Sequence, residues 1–362
     1  MKKIAIVGTA GVPAEYGGFE TLADNLAVYR EQQNLQVDLT IFCSNLSRVK
    51  RSRDRYKGAR LEYIALSAHG ISSVFYDVYS IFKSLMKGVD VLVILGVSGS
   101  IVIPLVKMVS NCRVITNIDG VEWKREKWGY AAKIFLRFSE LIAVKFSDVV
   151  VADNQGIVEH VQSQYRKSSL LISYGGDHAL NVESSSTEYL CLPDPYYLTI
   201  CRIEPENNLE MILLAFSKNT DQNIVIVGNW NNSDFGTALK KQFNSYGNLI
   251  LLDPIYDIGI LKTLRAVAEG YIHGHSAGGT NPSLVEMMHF GLPIYLFDCS
   301  YNRHTTENKG LYFSCAEDLV ILLNTFDKAD FRRKGQEMKA IANQNYTWET
   351  VANAYFQLFL KE

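Results

Sequence analysis

The chain has 362 residues, of which 48% are apolar and 20% charged, with a formal net charge of −2. This describes an ordinary soluble globular protein with room for two domains. Its six cysteines (Cys43, Cys112, Cys191, Cys201, Cys299, Cys315) are scattered with no Cys-x-x-Cys pair, which argues against a zinc site or a disulfide framework and fits a reducing cytoplasm.

The chain opens on Met-Lys-Lys and a four-residue apolar run, too short for the core of a signal peptide. Strands are predicted at 4–7, 37–43, 61–66, 91–95, 114–118 and 149–152, separated by helical patterns. Most are continuous apolar runs, as expected of strands buried on both faces. The longest apolar segment, 89–109, is interrupted by Asp90, Gly96, Gly99, Pro104 and Lys107, so it reads as strand, turn and helix start, not as a membrane span. The charge is asymmetric. Residues 1–170 hold 22 Lys and Arg against 16 Asp and Glu, whereas residues 171–362 hold 14 against 22. The basic excess concentrates in Arg48, Lys50, Arg51, Arg53, Arg55, Lys57 and Arg60. It reads either as a solvated loop or as a face toward an anionic surface or substrate. No nucleic-acid module is recognisable, and the overall charge is slightly negative, which argues against nucleic acid as a partner.

Two loops of the first half carry candidate chemistry. After the first strand, residues 8–20 lack the Gly-x-Gly-x-x-Gly dinucleotide pattern, which disfavours a nicotinamide enzyme. Gly17-Gly18 before the next helix can admit a diphosphate or a sugar, and Glu20 can cap that helix. After the fifth strand, Asp119 stands at a carboxyl end, followed by Glu122, Trp123, Lys124, Arg125, Lys127 and Trp128. The tryptophans offer flat faces of the kind that stack on sugar rings, and the cations suit an anionic acceptor. The alternative is a capping Asp119 with two core tryptophans.

A polar stretch around 176–193 reads as a linker. Strands are then predicted at 197–201, 224–227, 249–252, 271–273 and 294–297, again alternating with helices. Such alternation implies parallel sheets, hence two doubly wound α/β domains in tandem with a site between them. Arg202, just beyond the first of these strands, can clamp a phosphate, unless Glu204 or Glu206 neutralises it. Gly228 ends the second as another close-approach glycine. The most informative stretch is His275-Ser276-Ala277-Gly278-Gly279-Thr280-Asn281-Pro282-Ser283-Leu284-Val285-Glu286. It reads as a glycine loop running into a helix capped by Thr280 or Asn281, with Pro282 in the first turn. The glycines and the helix start favour a phosphate, and Glu286, one turn further in, can accept hydrogen bonds from ribose hydroxyls. The alternative is an ordinary capped helix. The seven histidines show no metal spacing, and neither a Walker loop nor a Gly-x-Ser-x-Gly elbow occurs.

Together, Gly17-Gly18, Arg202, Gly228, the loop ending in Glu286 with Gly291-Leu292-Pro293, and the C-terminal Tyr346-Thr347-Trp348-Glu349 resemble retaining nucleotide-sugar glycosyltransferases of the GT-B fold, glycosyltransferase family 4. Residues 117–123 and 278–283 resemble more specifically bacterial rhamnosyltransferases that build capsule or O-antigen units on a lipid carrier. Two positions depart from the wider family in a way that subgroup shares: Asn207 stands where a lysine is usual and Gly278 where an acid is usual.

The resemblance implies two Rossmann-like domains facing across a cleft, with an acceptor-side domain at 1–175, a linker at 176–193, a donor domain at 194–342 and a C-terminal helix at 343–362 returning to the first domain. It implies a dTDP-sugar donor, most of all dTDP-L-rhamnose, a lipid-linked saccharide acceptor, retention of configuration, and no cofactor or metal. Asp119, Arg202 and Glu286 would be catalytic. Gly17, Gly18, Arg202, Gly228, His275, Gly278, Gly279, Thr280, Asn281, Ser283 and Glu286 would meet the donor, and Glu122, Trp123, Lys124, Arg125 and Trp128 the acceptor. The expected location is cytoplasmic, on the inner face of a bacterial membrane, reached through the basic first half. A sugar-nucleotide epimerase of the same fold and a nucleotide-sugar-binding protein without catalysis are the alternatives. Asn207 and Gly278 favour the second of these, and the basic half counts against the first.

Overall fold

The computed structural model describes residues 1–14, 17–46, 53–125, 128–325 and 328–361. Arg48, Lys50 and Arg51 of the basic stretch and Lys127 of the tryptophan loop lie outside the described residues. The chain divides into two compact units, residues 1–174 with 348–362, and residues 175–347.

The first unit runs β1 (Lys2–Val7), α1 (Gly18–Gln32), β2 (Val37–Ser44), β3 (Arg55–Tyr56), β4 (Ala59–Ile64), α2 (Ser72–Met86), β5 (Val91–Leu95), α3 (Ile103–Val109), β6 (Arg113–Asn117), α4 (Tyr130–Phe146), β7 (Val149–Ala152), α5 (Gln155–Tyr165) and β8 (Leu170–Leu171). Its strands lie in the order β3-β4-β2-β1-β5-β6-β7-β8. All pairs are parallel except β3 with β4, and Ile6 sits opposite Ile41 on one side and Val93 on the other. The short β3 and β8 have no apolar run long enough to announce them in the sequence. On one face of the sheet, Tyr76 and Ile81 of α2, Ile103 and Val106 of α3, and Ile142 of α4 close over Ala5, Leu92 and Val114 in a single core.

The second unit contains β9 (Tyr197–Ile200), α6 (Leu209–Lys218), β10 (Ile224–Val227), α7 (Asp234–Phe243), β11 (Leu249–Leu252), α8 (Ile258–Val267), β12 (Gly270–His273), α9 (Pro282–Met288), β13 (Ile294–Phe297), α10 (Ser300–Thr305), β14 (Leu311–Phe313), α11 (Ala316–Thr325) and α12 (Lys328–Asn345). Its sheet is wholly parallel, in the order β11-β10-β9-β12-β13-β14. Tyr197, Phe216, Trp230 and Tyr295 are among its buried aromatics. The polar 176–193 stretch is anchored within this unit: Ser185 N–H donates to the Gly259 carbonyl at 3.2 Å and Lys262 Nζ to the Val182 carbonyl at 2.7 Å. The last helix, α13 (Trp348–Leu360), belongs to the first unit. There Phe356 stacks on Tyr29 with ring centres 5.8 Å apart, and the Tyr355 hydroxyl accepts from Asn117 Nδ2 at 2.8 Å.

In both sheets the chain order reverses beside the first strand of the unit, between β1 and β5 and between β9 and β12. Loops leaving the carboxyl ends of such neighbours diverge and open a crevice, which is where doubly wound sheets bind ligands.

One buried group makes the first unit pH-sensitive. Asp77 on α2 is 3% exposed and takes a hydrogen bond from the Ser98 hydroxyl. Burial outweighs that hydrogen bond and lifts its carboxyl from 3.8 to about 7. The folded state therefore holds a proton that the unfolded chain releases, so stability is greatest below 3.8 and falls as the pH rises to about 7. Asp77→Asn, which keeps the polar contact without the charge, is expected to unfold at higher urea than wild type at pH 8, by roughly 1–3 kcal/mol, and to lose that advantage in acid.

Candidate functional site

The best-organised site lies on the second unit at its strand-order reversal. The loop after β9 and the loop after β12 are fastened to each other. Asn207, buried where the wider family is expected to carry lysine, donates Nδ2 to the Arg202 carbonyl at 2.7 Å and shares a 2.8 Å hydrogen bond between its Oδ1 and His275 Nδ1. Ser276 donates its N–H and its hydroxyl to the Glu206 carbonyl, each at 2.9 Å. Asn302 Nδ2 holds the His275 carbonyl at 2.9 Å. Gly274 permits this closure, since a Cβ there would stand 2.1 Å from the Asn207 carbonyl oxygen. Asn207 therefore sets the position of His275 and of the Arg202 main chain where a lysine would have supplied charge. The Arg202 guanidinium is part-exposed and 3.5 Å from Glu204, the neutralising pair anticipated as one alternative.

Beyond His275 the chain turns through Gly278 at φ +89° and enters α9. Of the two candidate caps, Asn281 does the work: its Oδ1 accepts from Ser283 N–H at 3.0 Å and from the Ser283 hydroxyl at 2.8 Å. The N–H groups of Leu284 and Val285 donate to the Asn281 carbonyl. With Pro282 lacking an N–H and these three donors engaged, the first turn of α9 has little to offer a phosphate. The close-approach surface is the Gly278-Gly279 backbone before it. Gly228, expected to face a ligand, is a packing glycine: a Cβ there would stand 2.4 Å from the Ile203 Cδ1 and 2.6 Å from the Cys201 carbonyl oxygen.

Glu286 occupies the second turn of α9 with its side chain 15% exposed. Two partners hold it. The Arg265 guanidinium on α8 donates to Oε2, and His178 Nε2 lies 3.4 Å from Oε1. Burial raises the proton affinity of Glu286, but Arg265 and His178 outweigh it and keep the carboxyl below its usual range. It is an ionised acceptor with its orientation set. Gly176 lets the chain carrying His178 lie against α9, where a Cβ would meet Val285 at 2.5 Å. Neither Arg265 nor His178 was identifiable beforehand. Arg265 reads as a last-turn cation on an amphipathic helix, and His178 as linker. Below α9, His273 is buried with burial holding its imidazole well below the usual value, so it is neutral.

The first unit places its candidates at the corresponding edge. Gly17 has φ +121°, and a Cβ there would stand 2.1 Å from Glu20 Oε2. Glu20 does not cap α1. Its Oε1 reaches back to accept from Ala10 N–H at 2.6 Å and the Thr9 hydroxyl at 3.2 Å, ordering the loop ahead of Gly17-Gly18. Asp119 stands just beyond the end of β6 with φ +60°, its N–H bonded to Asn117 Oδ1 at 2.9 Å. Burial, then the nearby carboxylates of Asp119, Asp153 and Glu20, push the Tyr174 hydroxyl well above its usual value. Glu20 follows β1, Asp119 follows β6, Asp153 follows β7 and Tyr174 follows β8, each beyond the carboxyl end of its strand. Asp153 and Tyr174, missed in the sequence, arrive there because β7 and β8 lie beside β6.

The tryptophan loop is tied into the fold. Trp123 Nε1 donates to Glu140 Oε2 at 3.0 Å, and Glu140 Oε1 also takes the Tyr165 hydroxyl at 2.6 Å and lies 2.8 Å from His160 Nε2. The Arg137 guanidinium and Lys124 Nζ lie 5.3 and 5.6 Å from the centre of a Trp123 ring. Trp128 Nε1 donates to Glu122 Oε1 at 3.0 Å, and Arg125 pairs with Glu122 Oε2 at 3.1 Å. Glu122 and Arg125 therefore spend part of their charge on each other. Among the described residues no group of three His, Cys, Asp or Glu is arranged to hold a metal ion.

Residues 1–177 match a domain of unknown function, DUF1972. No curated protein matches the sequence. Solved structures match throughout: sucrose-phosphate synthase from Thermosynechococcus elongatus is 15% identical with a TM-score of 0.81, covering 99% of this chain and 98% of that one. HepE from Anabaena, in complex with UDP, is 13% identical with a TM-score of 0.73, covering 99% of each chain. The catalytic domain of starch synthase IV from Arabidopsis thaliana, bound to ADP and acarbose, is 13% identical with a TM-score of 0.68, covering 99% and 98%. The fold is GT-B. Identities this low carry the fold and no activity.

Replacing Arg265 by Met should leave the ionised Glu286 short of its cation and destabilise the protein by about 3 kcal/mol at neutral pH. A depressed carboxyl contributes stability above its unfolded value near 4.5 and loses it as the pH falls through the lower folded value. The gap between Arg265→Met and wild type in urea melts should therefore narrow in acid.

Proposed function

We propose that this protein is a glycosyltransferase that takes a deoxyhexose, most of all L-rhamnose, from a dTDP-sugar and passes it to a lipid-linked saccharide. The observation that carries the reading is Glu286: an ionised carboxylate, oriented by Arg265 and His178, one turn beyond a glycine loop at the strand-order reversal of a parallel sheet. A fixed acceptor there suits the two hydroxyls of a ribose, and the preceding Gly278-Gly279 backbone suits the diphosphate. That GT-B neighbours are known in complex with UDP and with ADP supports a nucleotide-linked donor.

On this reading Arg202 trades Glu204 for the diphosphate. The exchange is inexpensive, because a part-exposed pair 3.5 Å apart is weak, and a phosphate can take a guanidinium bidentately. His275, held by Asn207, faces the donor. Asp119 faces the sugar or the acceptor hydroxyl, and Trp123 and Trp128 flank the acceptor with Lys124. Transfer proceeds with retention at one face of the sugar. The bond from the anomeric carbon to the diphosphate oxygen breaks, the acceptor oxygen bonds to that carbon on the same side, and the acceptor proton passes to the departing diphosphate. Charge stabilisation by Arg202 and backbone N–H groups meets the leaving group without requiring a metal. On this reading the enzyme works on its lipid-linked acceptor from the cytoplasmic surface; no helix among the described residues is long and apolar enough to cross a membrane.

Calorimetry with dTDP-rhamnose, dTDP-glucose, UDP-glucose, UDP-N-acetylglucosamine and GDP-mannose tests the donor assignment. The expected result is selective binding of dTDP-rhamnose, weakened at least about tenfold by Glu286→Ala, the equivalent of one lost charged hydrogen bond. Preference for a UDP- or GDP-sugar replaces the named donor. Binding that Glu286→Ala leaves intact removes Glu286 from the site. Tight donor binding with neither transfer nor hydrolysis identifies a non-catalytic binding protein.

A further inference from the structure

The helices that cover one face of the first sheet are apolar on their outward sides as well as their inward sides. On α2, Tyr76 and Ile81 are buried, while Ile71, Phe75, Tyr79 and Met86 stand exposed on the opposite side, at spacings that keep them in one stripe. On α4, Tyr130, Ile134 and Phe138 repeat every fourth residue and are exposed, while Leu136 and Ala143 are buried. Between them, α3 buries Ile103 and Val106 and exposes Met108 and Val109. Met86, Met108 and Tyr130 are 87%, 82% and 82% exposed. Single exposed apolar side chains are ordinary. Stripes on three helices that share one core, and so one face of the sheet, form a patch.

The charges on the same helices have one sign. Asp77 and Glu140, their only acids, are 3% and 1% exposed, whereas Lys83, Lys107, Lys133, Arg137 and Lys145 all reach solvent; Lys83 pairs with Glu62 of β4 and Lys107 with Asp148 at 2.7 Å, which leaves Lys133, Arg137 and Lys145 of α4 as the excess of positive charge. Protein interfaces deplete lysine from their cores. An aromatic and methionine stripe flanked by lysine and arginine has the composition of a surface that lies in the headgroup layer of an anionic bilayer, with rings and thioethers among the acyl chains and cations at the phosphates.

We infer that the outward face of α2, α3 and α4 docks the protein on anionic lipid. This locates the contact on these helices and not on the basic stretch around Arg53–Arg60. Among the described residues of that stretch no large apolar side chain stands exposed. The inference shares with the proposed function only the presence of a membrane. Its test uses neither donor nor acceptor, so its failure would leave the transferase reading standing.

The test is flotation of the full chain with vesicles of phosphatidylcholine, alone or mixed with phosphatidylglycerol. Wild type should bind the mixed vesicles at least about tenfold better than neutral ones, with the preference fading at high salt. A variant carrying Phe75→Ser, Met86→Ser, Met108→Ser and Tyr130→Ser should lose at least about tenfold in binding, with its melting temperature and monomer elution unchanged. Lys133→Gln with Lys145→Gln should lose the anionic preference several-fold at low salt only. If the fourfold variant misfolds, Met108→Ser and Tyr130→Ser singly should each weaken binding. Unchanged binding in these variants would overturn the inference. So would a loss produced only by Arg53→Gln, Arg55→Gln and Lys57→Gln together. A wild-type dimer that the apolar variant dissociates, with no vesicle binding by either, would assign the face to a second copy of the chain instead.

Discussion

A parallel sheet must be covered on both faces, so each strand is followed by a helix that carries the chain back to the same edge. Every loop that leaves a strand then emerges at the carboxyl edge, and where the strand order reverses two neighbouring loops part and leave room for a ligand. Both units obey this constraint, apart from the β2-β3-β4 segment of the first. It explains why Asn207, in the loop after β9, and His275, in the loop after β12, are joined by a hydrogen bond across 68 residues of chain. It also explains why Glu20, Asp119, Asp153 and Tyr174 all follow strand ends on the same edge of the first sheet.

Within that frame the second unit spends buried polar groups on orientation. Asn207 is a neutral linchpin between two loops. Arg265 and His178 fix a carboxylate that would otherwise sample several rotamers, and they offset the cost of holding a charge in a largely buried place. The first unit does the same around Glu140, which takes hydrogen bonds from Trp123 and Tyr165 and lies beside His160. In the second unit a cation and an imidazole hold the carboxylate, and in the first a carboxylate holds the Trp123 indole. This is how a fold of short loops presents a few side chains with defined geometry.

The outward face of α2, α3 and α4 follows a different logic. A helix over a sheet needs only one apolar side, and a second one exposed to water opposes solubility. The cations beside it, with both acids of the same helices withdrawn into the core, limit self-association while leaving the face attractive to anionic lipid.

Eleven strand positions, the alternation of strands with helices and the capped start of α9 were legible in the amino-acid sequence, because apolar runs, glycines and an Asn-Pro pair express local backbone physics. The placement of Gly17-Gly18, Arg202 and Glu286 beside strand ends was legible for the same reason. What those residues touch was not. Gly228 looks open to a ligand in the sequence and proves to be packed on Ile203. Glu20 looks like a cap and instead holds the preceding loop. Arg265 and His178 carry no signal at all, since nothing local distinguishes a helix-end arginine from one aimed at a carboxylate 21 residues away. Local patterns record what each residue does to its own backbone, and long-range partnership is decided only when the sheet fixes which loops become neighbours.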